Sequence, residues 1–410
     1  MRKGRRKFLK GAAATTAAAA AGPWVARYAH AAEEVRVAEL HDLSGFLDIF
    51  GISCNEAFNL AVEETNAAGG LLGRPVKVTT YDTQSNNQLY AQYAQRAATQ
   101  DKAHVVHGGI TSASREVIRP ILKRFNTLYF YNCNYEGGVC DRNTFQVGTV
   151  PGHNVRALID YAVKHIGKSM YTIAADYNYG QIISAWGRKF VQEHGGSVLS
   201  EDYFPLDVTQ FGSVISKIQA AKPDMIWSAL VGTAHLAFYR QWAAAGMLDE
   251  IPIVSPVFAA GQDLSILQPE ETEGILVAYS YFETMDTPEN NAWTAAFRER
   301  FNRPRGYIND NLHDAYLGWK MYAAAAEKAG TTDRMPIIET LEGGLTLDLP
   351  TGTYTMHGPS HHCIKDVSIA RIEGNEFKII ETFKEQMPES AEVCDLIANP
   401  NENRQFQPEI

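Results

Sequence analysis

The chain reads as an α/β protein of two doubly wound parallel-sheet lobes joined by a hinge. Three observations predict this. Short strand patterns alternate with helical patterns of about 10–15 residues, the signature of βαβ units and a parallel sheet. The alternation runs through twice, with a break at Val150 and Pro151. A chain of 410 residues also exceeds what one hydrophobic core usually serves.

The first set opens with Val35–Leu40, which alternates apolar and polar residues as a strand does. Ala57–Ala67 has helical spacing and ends at Gly69 and Gly70, a cap and turn. Val76–Tyr81 reads as a second strand, Leu89–Ala98 as a second helix, Val105–Gly108 as a third strand and Leu128–Tyr131 as a fourth. A helix is expected over Ser114–Phe125, with Ser114 as its cap. The second set comprises helices over Val155–His165, Gly180–His194, Phe211–Ala221 and Ala234–Ala245. Its strands are Met170–Ala174, Val198–Tyr203, Met225–Leu230 and Ile251–Ser255. A helical stretch from Asn290 to Gly330 follows, broken near Pro304 and Gly306. From about Thr353 the pattern becomes short strands and a polar tail. Lobe 1 is expected to hold 33–150 and 281–352. Lobe 2 is expected to hold 151–280 and 353–410, including the tail. Ligands of open parallel sheets bind at the carboxyl ends of the strands, so the site is expected in the cleft between lobes.

Residues 1–31 read as an export signal. Arg5 and Arg6 precede Lys7, Phe8, Leu9 and Lys10, a twin-arginine pattern. A weakly apolar run of Ala and Thr lies between Gly11 and Gly22, and Ala29, His30 and Ala31 form a small-x-small cleavage site. The run is too short to span a bilayer, which needs about 20 apolar residues. The mature protein is therefore expected to be soluble and periplasmic, without stable membrane insertion. The whole chain has 37 Lys and Arg against 47 Asp and Glu, a net charge of −10. Residues 1–31 hold seven of the basic residues and no acid; without them 30 face 47, a net −17. Such an acidic chain repels nucleic acid and anionic membranes. Five cysteines, Cys54, Cys133, Cys140, Cys363 and Cys394, allow one or two disulfides in an oxidising compartment and leave at least one thiol over. The residues alone do not give the pairing.

Several segments carry a family resemblance. Leu43, Ser44 and Gly45, then Asn66–Pro75, resemble the opening of type I periplasmic solute-binding proteins of the branched-chain amino-acid-binding class. Thr111–Arg115, Tyr135–Gly137, Asp176–Tyr179, Tyr281–Phe282 with Asp286–Asn290, and the pair His361 and His362 resemble its urea and short-chain-amide branch. The similarity runs from about residue 35 to 383. It implies a hinged binding protein that works with the permease subunits of an ABC transporter and needs no cofactor. It also implies ligand contacts. Ser112, after the third strand, would bond the ligand's polar head, and Tyr177, with Tyr179, would close over it. Tyrosine suits a small polar ligand, having an apolar ring and one hydroxyl. Cys133 stands where the amide receptor has a threonine, and Ile110 where it has a pocket tyrosine. Tyr131 and Glu136 lie close by in sequence, with Glu136 expected to order the loop more than to touch ligand. In lobe 2, Thr233 follows the Met225–Leu230 strand and can face the cleft. Amino-acid-binding relatives carry a carboxylate near Ser255–Phe258 for the ligand ammonium; here none occurs before Asp263. An unpaired ammonium in a closed cleft is costly, which favours a neutral ligand. Members of the branch also carry one cysteine after the Tyr-Glu-Gly-Gly-Val segment and one in the tail. That implies a disulfide between Cys140 and Cys394, which would anchor a tail too polar to pack alone, although Cys54 or Cys363 could compete.

Other chemistries have less support. His357, His361, His362 and Cys363 resemble a metal cluster in spacing, but a turn before the Val367–Ile372 strand accounts for them. Cys133 with Glu136 has no lysine or histidine near in sequence to complete a catalytic set. Gly167, Lys168 and Ser169 resemble a P-loop ending, yet Ala162 occupies the leading glycine position. The expected function is a non-catalytic, extracytoplasmic binding component of an ABC importer, taking urea or a short-chain amide. The alternatives are a periplasmic sensor of the same fold, or a binding protein for a branched-chain amino acid or aromatic acid.

Overall fold

The structure, a computed structural model, describes residues 33–408. The expected export signal therefore lies outside the described residues. The first set of strands is β1 (Val35–His41), β2 (Val76–Asp82), β3 (Val105–Gly108), β4 (Leu128–Tyr131), β5 (Val139–Asp141) and β6 (Thr144–Gln146). The second is β7 (Ser169–Ala175), β8 (Ser197–Phe204), β9 (Met225–Ala229), β10 (Ile253–Val254) and β11 (Leu276–Tyr279). The C-terminal part adds β12 (Thr346–Leu349), β13 (Gly352–His357), β14 (His362–Glu373), β15 (Glu376–Gln386) and β16 (Asn403–Gln405). Fourteen strands form one sheet whose main path runs β2-β1-β3-β4-β6-β14-β11-β10-β9-β7-β8. Both halves repeat one order, with the first strand between the second and third, and all pairings within a half are parallel. In this topology the ligand crevice lies where the strand order reverses, outside the carboxyl ends.

Local sequence explains the main elements. Val35, Val37 and Leu40 of β1, and all of β3, β4, β9 and β11, are buried, as strands covered on both faces by helices must be. Thr111, Asn86, Thr287 and Asn309 each cap a helix, their side chains accepting first-turn N–H groups, which satisfies donors the helix leaves open. Thr111, not Ser114, is the cap of the Ser112–Arg124 helix; Ser114 instead donates its hydroxyl to the Thr111 carbonyl at 2.8 Å. The first helix starts at Asp48, nine residues before the predicted Ala57. Gly51 permits this, because a Cβ there would stand 2.0 Å from the Asp42 carbonyl oxygen. The Asn290–Gly330 stretch resolves into helices Pro288–Phe301 and Asp310–Ala329. The C-terminal strands are longer than predicted: β14 has 12 residues and β15 has 11.

Strand β14 joins the halves. His362 pairs with Gln146 of β6, while Ser368–Arg371 pair antiparallel with Tyr279–Leu276 of β11. The chain thus crosses between halves after β6, after β11 and within β14. One helix turn holds all three crossings. Asp310 accepts from Thr149 Oγ1 at 2.8 Å, Ser280 Oγ at 2.9 Å and the Tyr281 N–H at 3.0 Å. One turn on, Asp314 pairs with Lys365 Nζ at 3.1 Å, and that ammonium also donates to the Val147 carbonyl at 2.8 Å. The Lys365 and Asp314 side chains are fully buried. Burial pushes the Asp314 carboxyl up, against the pull of the Lys365 charge.

The tail, expected with lobe 2, instead returns to the first half, because its strand and its cysteine find their partners there. β16 pairs antiparallel with β5, and Cys140 is disulfide-bonded to Cys394 with Cα atoms 5.8 Å apart. Cys54, Cys133 and Cys363 are free and buried.

Inside the first half, Glu39 of β1 is fully buried and accepts from Asn55 at 2.7 Å, Asn59 at 3.1 Å and Thr80 at 3.2 Å. Its other oxygen lies 3.3 Å from His41 Nε2. Burial pushes its carboxyl up to about 8. A folded value above the unfolded one means stability is fully present below the ordinary carboxylate range and is lost as pH rises toward 8. Replacing Glu39 with Gln is expected to remove this loss, stabilising the protein at pH 8 relative to pH 5 by roughly 1–3 kcal/mol. Guanidinium chloride melts of both proteins at the two pH values measure it; parallel profiles would exclude the effect.

Candidate ligand-binding site

At the carboxyl ends of the strands, the two halves enclose a small cavity. About 20 Å³ of it is open to the centre of a water-sized sphere, little more than one water needs. Phe50, Ile110, Val231 and Val257 supply its apolar surface, and Ser112, Cys133, Asn134, Asn311, Tyr177 and Tyr179 its polar groups. No charged side chain is among these lining residues.

The fold places each polar group. Ser112 opens the helix after β3 and is 1% exposed. Its hydroxyl donates to Glu136 Oε2. Tyr177 stands in extended backbone directly before the Asn178–Glu193 helix after β7. Tyr179 follows in the first turn, with ring centroids 6.0 Å apart. The Tyr179 hydroxyl is buried and has no protein partner. Cys133 follows β4; burial pushes its thiol well up, so it is a neutral, weak partner. Asn311 comes from the turn that holds the crossings, and its side-chain oxygen accepts the Asn134 N–H at 2.9 Å.

Three predicted residues sit elsewhere. Tyr131 lies behind the cavity, its hydroxyl donating to the Ile110 carbonyl at 2.8 Å. Glu136 stands behind Ser112 and pairs with Arg115 Nη2 at 2.9 Å, both side chains fully buried. Thr233 is exposed at the start of the Thr233–Ala244 helix, with its hydroxyl 3.4 Å from the Leu206 carbonyl. Its near neighbour Val231 lines the cavity instead. Asp263 is also away from the cavity, 3.6 Å from His235 Nε2 and accepting the Gly261 N–H at 3.3 Å. Phe50, Asn134, Asn311, Val231 and Val257 are lining residues that the sequence did not mark. Asn134 lay beside the motif residues Cys133 and Tyr135. Asn311 lay in a polar trio with Asn309 and Asp310 ahead of an apolar helix, which is a usable signal.

The histidine cluster has its own partners. His361 stacks on Phe145 at 4.1 Å and faces Glu342 at 3.2 Å, while His362 meets the Tyr135 hydroxyl. Among the described residues, no group of three or more His, Cys, Asp and Glu is placed to hold a metal ion. No helix among them is long and apolar enough to cross a membrane.

Two parallel-sheet halves, three crossings and a cavity at the strand ends define a two-lobed solute-binding fold. The periplasmic binding protein domain matches residues 35–391, and the chain belongs to that family. It is 22% identical over 333 residues to the leucine-, isoleucine-, valine-, threonine- and alanine-binding protein of Pseudomonas aeruginosa, covering 80% of this chain and 87% of that one. A solved amino acid ABC transporter substrate-binding protein from Pseudomonas fluorescens superposes with a TM-score of 0.78 at 22% identity, over 89% of this chain and all of the other. A Rhodopseudomonas palustris solute-binding protein solved with 4-hydroxybenzoate gives 0.77 at 20% identity, over 88% and 99%.

Proposed function

We propose that this chain is the periplasmic solute-binding component of an ABC importer. In this reading it captures a small neutral polar solute, urea or a short-chain amide, between its halves. The observation that carries the ligand class is a cavity between the halves lined by hydroxyls, amides and apolar groups, with no charged side chain among its lining residues. A zwitterionic amino acid would bring an ammonium and a carboxylate that no charged lining residue pairs, and burying unpaired charge is costly. The names of the relatives favour a second reading, an amino acid or aromatic acid. A thermal-shift screen decides between them. A ligand at about 100 times its dissociation constant stabilises by roughly 2.7 kcal/mol. Urea, acetamide or formamide should raise the melting temperature. A shift with leucine or 4-hydroxybenzoate and none with the amides would overturn the neutral-ligand reading.

Lobe 1 is proposed to be 33–150 with 281–352 and the tail that pairs with β5, closing on 151–280 with the β11-paired part of β14 and the β15 strand beside it. The contact of Trp186 Nε1, from the second half, with the Glu136 carbonyl at 3.1 Å supports closure. Small-angle scattering should show compaction on adding saturating ligand; an unchanged radius would count against it. Ser112→Ala and Tyr177→Ala should each weaken binding by about ten- to a hundredfold, the cost of leaving a buried partner unpaired. Calorimetry on the folded variants reads this directly, and wild-type affinity in both would move the site elsewhere.

A further inference from the structure

We propose that Glu136 sets the polarity of the site: it holds Ser112 as a hydrogen-bond acceptor, so the ligand must present a donor to Ser112. This rests on the cavity being the solute site and specifies which end of the solute meets which wall. A serine hydroxyl has one hydrogen and two lone pairs. The Ser112 hydrogen is directed at Glu136 Oε2, away from the cavity. Glu136 cannot return a hydrogen, because it is ion-paired. Arg115 Nη2 lies 2.9 Å from Oε1, and both side chains are fully buried. The guanidinium is fixed in turn over the rings of Tyr131 and Tyr135, 5.1 and 4.5 Å from their centroids. Gln405 of the tail donates its amide to the same Oε1 at 2.5 Å. The carboxylate is thus surrounded by donors, and the oxygen left for Ser112 can only accept.

Ser112 Oγ therefore offers lone pairs to the cavity. A ligand carboxylate placed there would meet lone pairs with a second carboxylate behind them, and like charges at such range repel. An amide NH₂ fits. Across the same cavity the Tyr179 hydroxyl is buried with its hydrogen uncommitted, which suits a carbonyl oxygen. An acceptor and a donor on facing walls match the two ends of a primary amide.

The test compares isosteric pairs by calorimetry: acetamide with acetate, leucinamide with leucine, and 4-hydroxybenzamide with 4-hydroxybenzoate. In whichever pair binds, the wild type should prefer the amide. Glu136→Gln can turn its own NH₂ toward Ser112 and free the serine hydrogen for the ligand. It should narrow the amide-to-acid preference at least about tenfold. Because that change removes one of the two charge partners of Arg115, Glu116 remaining 3.0 Å from its Nε, Ser112→Ala is a second variant. It should lower amide affinity about tenfold or more and leave the acid nearly unchanged. Circular dichroism verifies that both fold. An acid preferred by the wild type, or an unchanged ratio in the folded variants, overturns the proposal. Binding confined to the leucine or hydroxybenzoate pair, with the amide still preferred, overturns only the short-amide reading. No binding in any pair overturns both.

Discussion

Lys365→Met is expected to destabilise the protein by about 3–5 kcal/mol, since it leaves Asp314 buried without its partner. Both side chains are fully buried, and the ammonium also satisfies the Val147 carbonyl. The measurement is a guanidinium chloride melt, chosen over urea because urea is a candidate ligand. The double variant Lys365→Met, Asp314→Leu tests the cause. Replacing a whole buried ion pair by apolar groups is often neutral or stabilising, so it should recover most of the loss. A double variant as unstable as the single one would assign the cost to lost packing.

Removing the Cys140–Cys394 disulfide has the second large expected effect. The bond spans 254 residues. In the chain-entropy model a loop of that length is worth about 5 kcal/mol, acting through the unfolded chain. The paired Cys140→Ser, Cys394→Ser variant should therefore melt well below the wild type. Hydrogen exchange should quicken at β5 and β16, where the tail pairs with Val139–Asp141. Equal melting temperatures with and without reductant would show that the tail's own contacts suffice. Those contacts are a small apolar cluster of Cys140, Cys394 and Leu396 with Phe406 packed on it.

What the sequence made legible follows from range. Strand and helix identity in the two βα sets is a local property of apolar spacing, and β3 and β4 have the residues predicted for them. Cap positions and helix starts shifted where tertiary packing overrode propensity, by two or three residues at the Ser112–Arg124 helix and by nine at the helix that holds Gly51. Partnership at long range was not legible. Asn311 meets Asn134 across 177 residues, and nothing local marks the two as partners. Thr233 shows the opposite error: a strand-end position was right in sequence, but the helix begins on that residue and turns its side chain outward. The β14–β15 hairpin was read as short strands because β15 is mostly exposed and rich in charge, which hides its period.

The route of the tail has a practical consequence for anyone immobilising this protein. β16 ends at Gln405, the residue whose amide steadies Glu136 behind Ser112. A purification handle or dye joined beyond that point pulls on a residue one contact away from the serine. Val35 begins β1 at the amino end of the strands, remote from the cavity at their carboxyl ends. A handle attached ahead of Val35 leaves the recognition chemistry undisturbed, which makes that end the better anchor for a surface-bound solute detector.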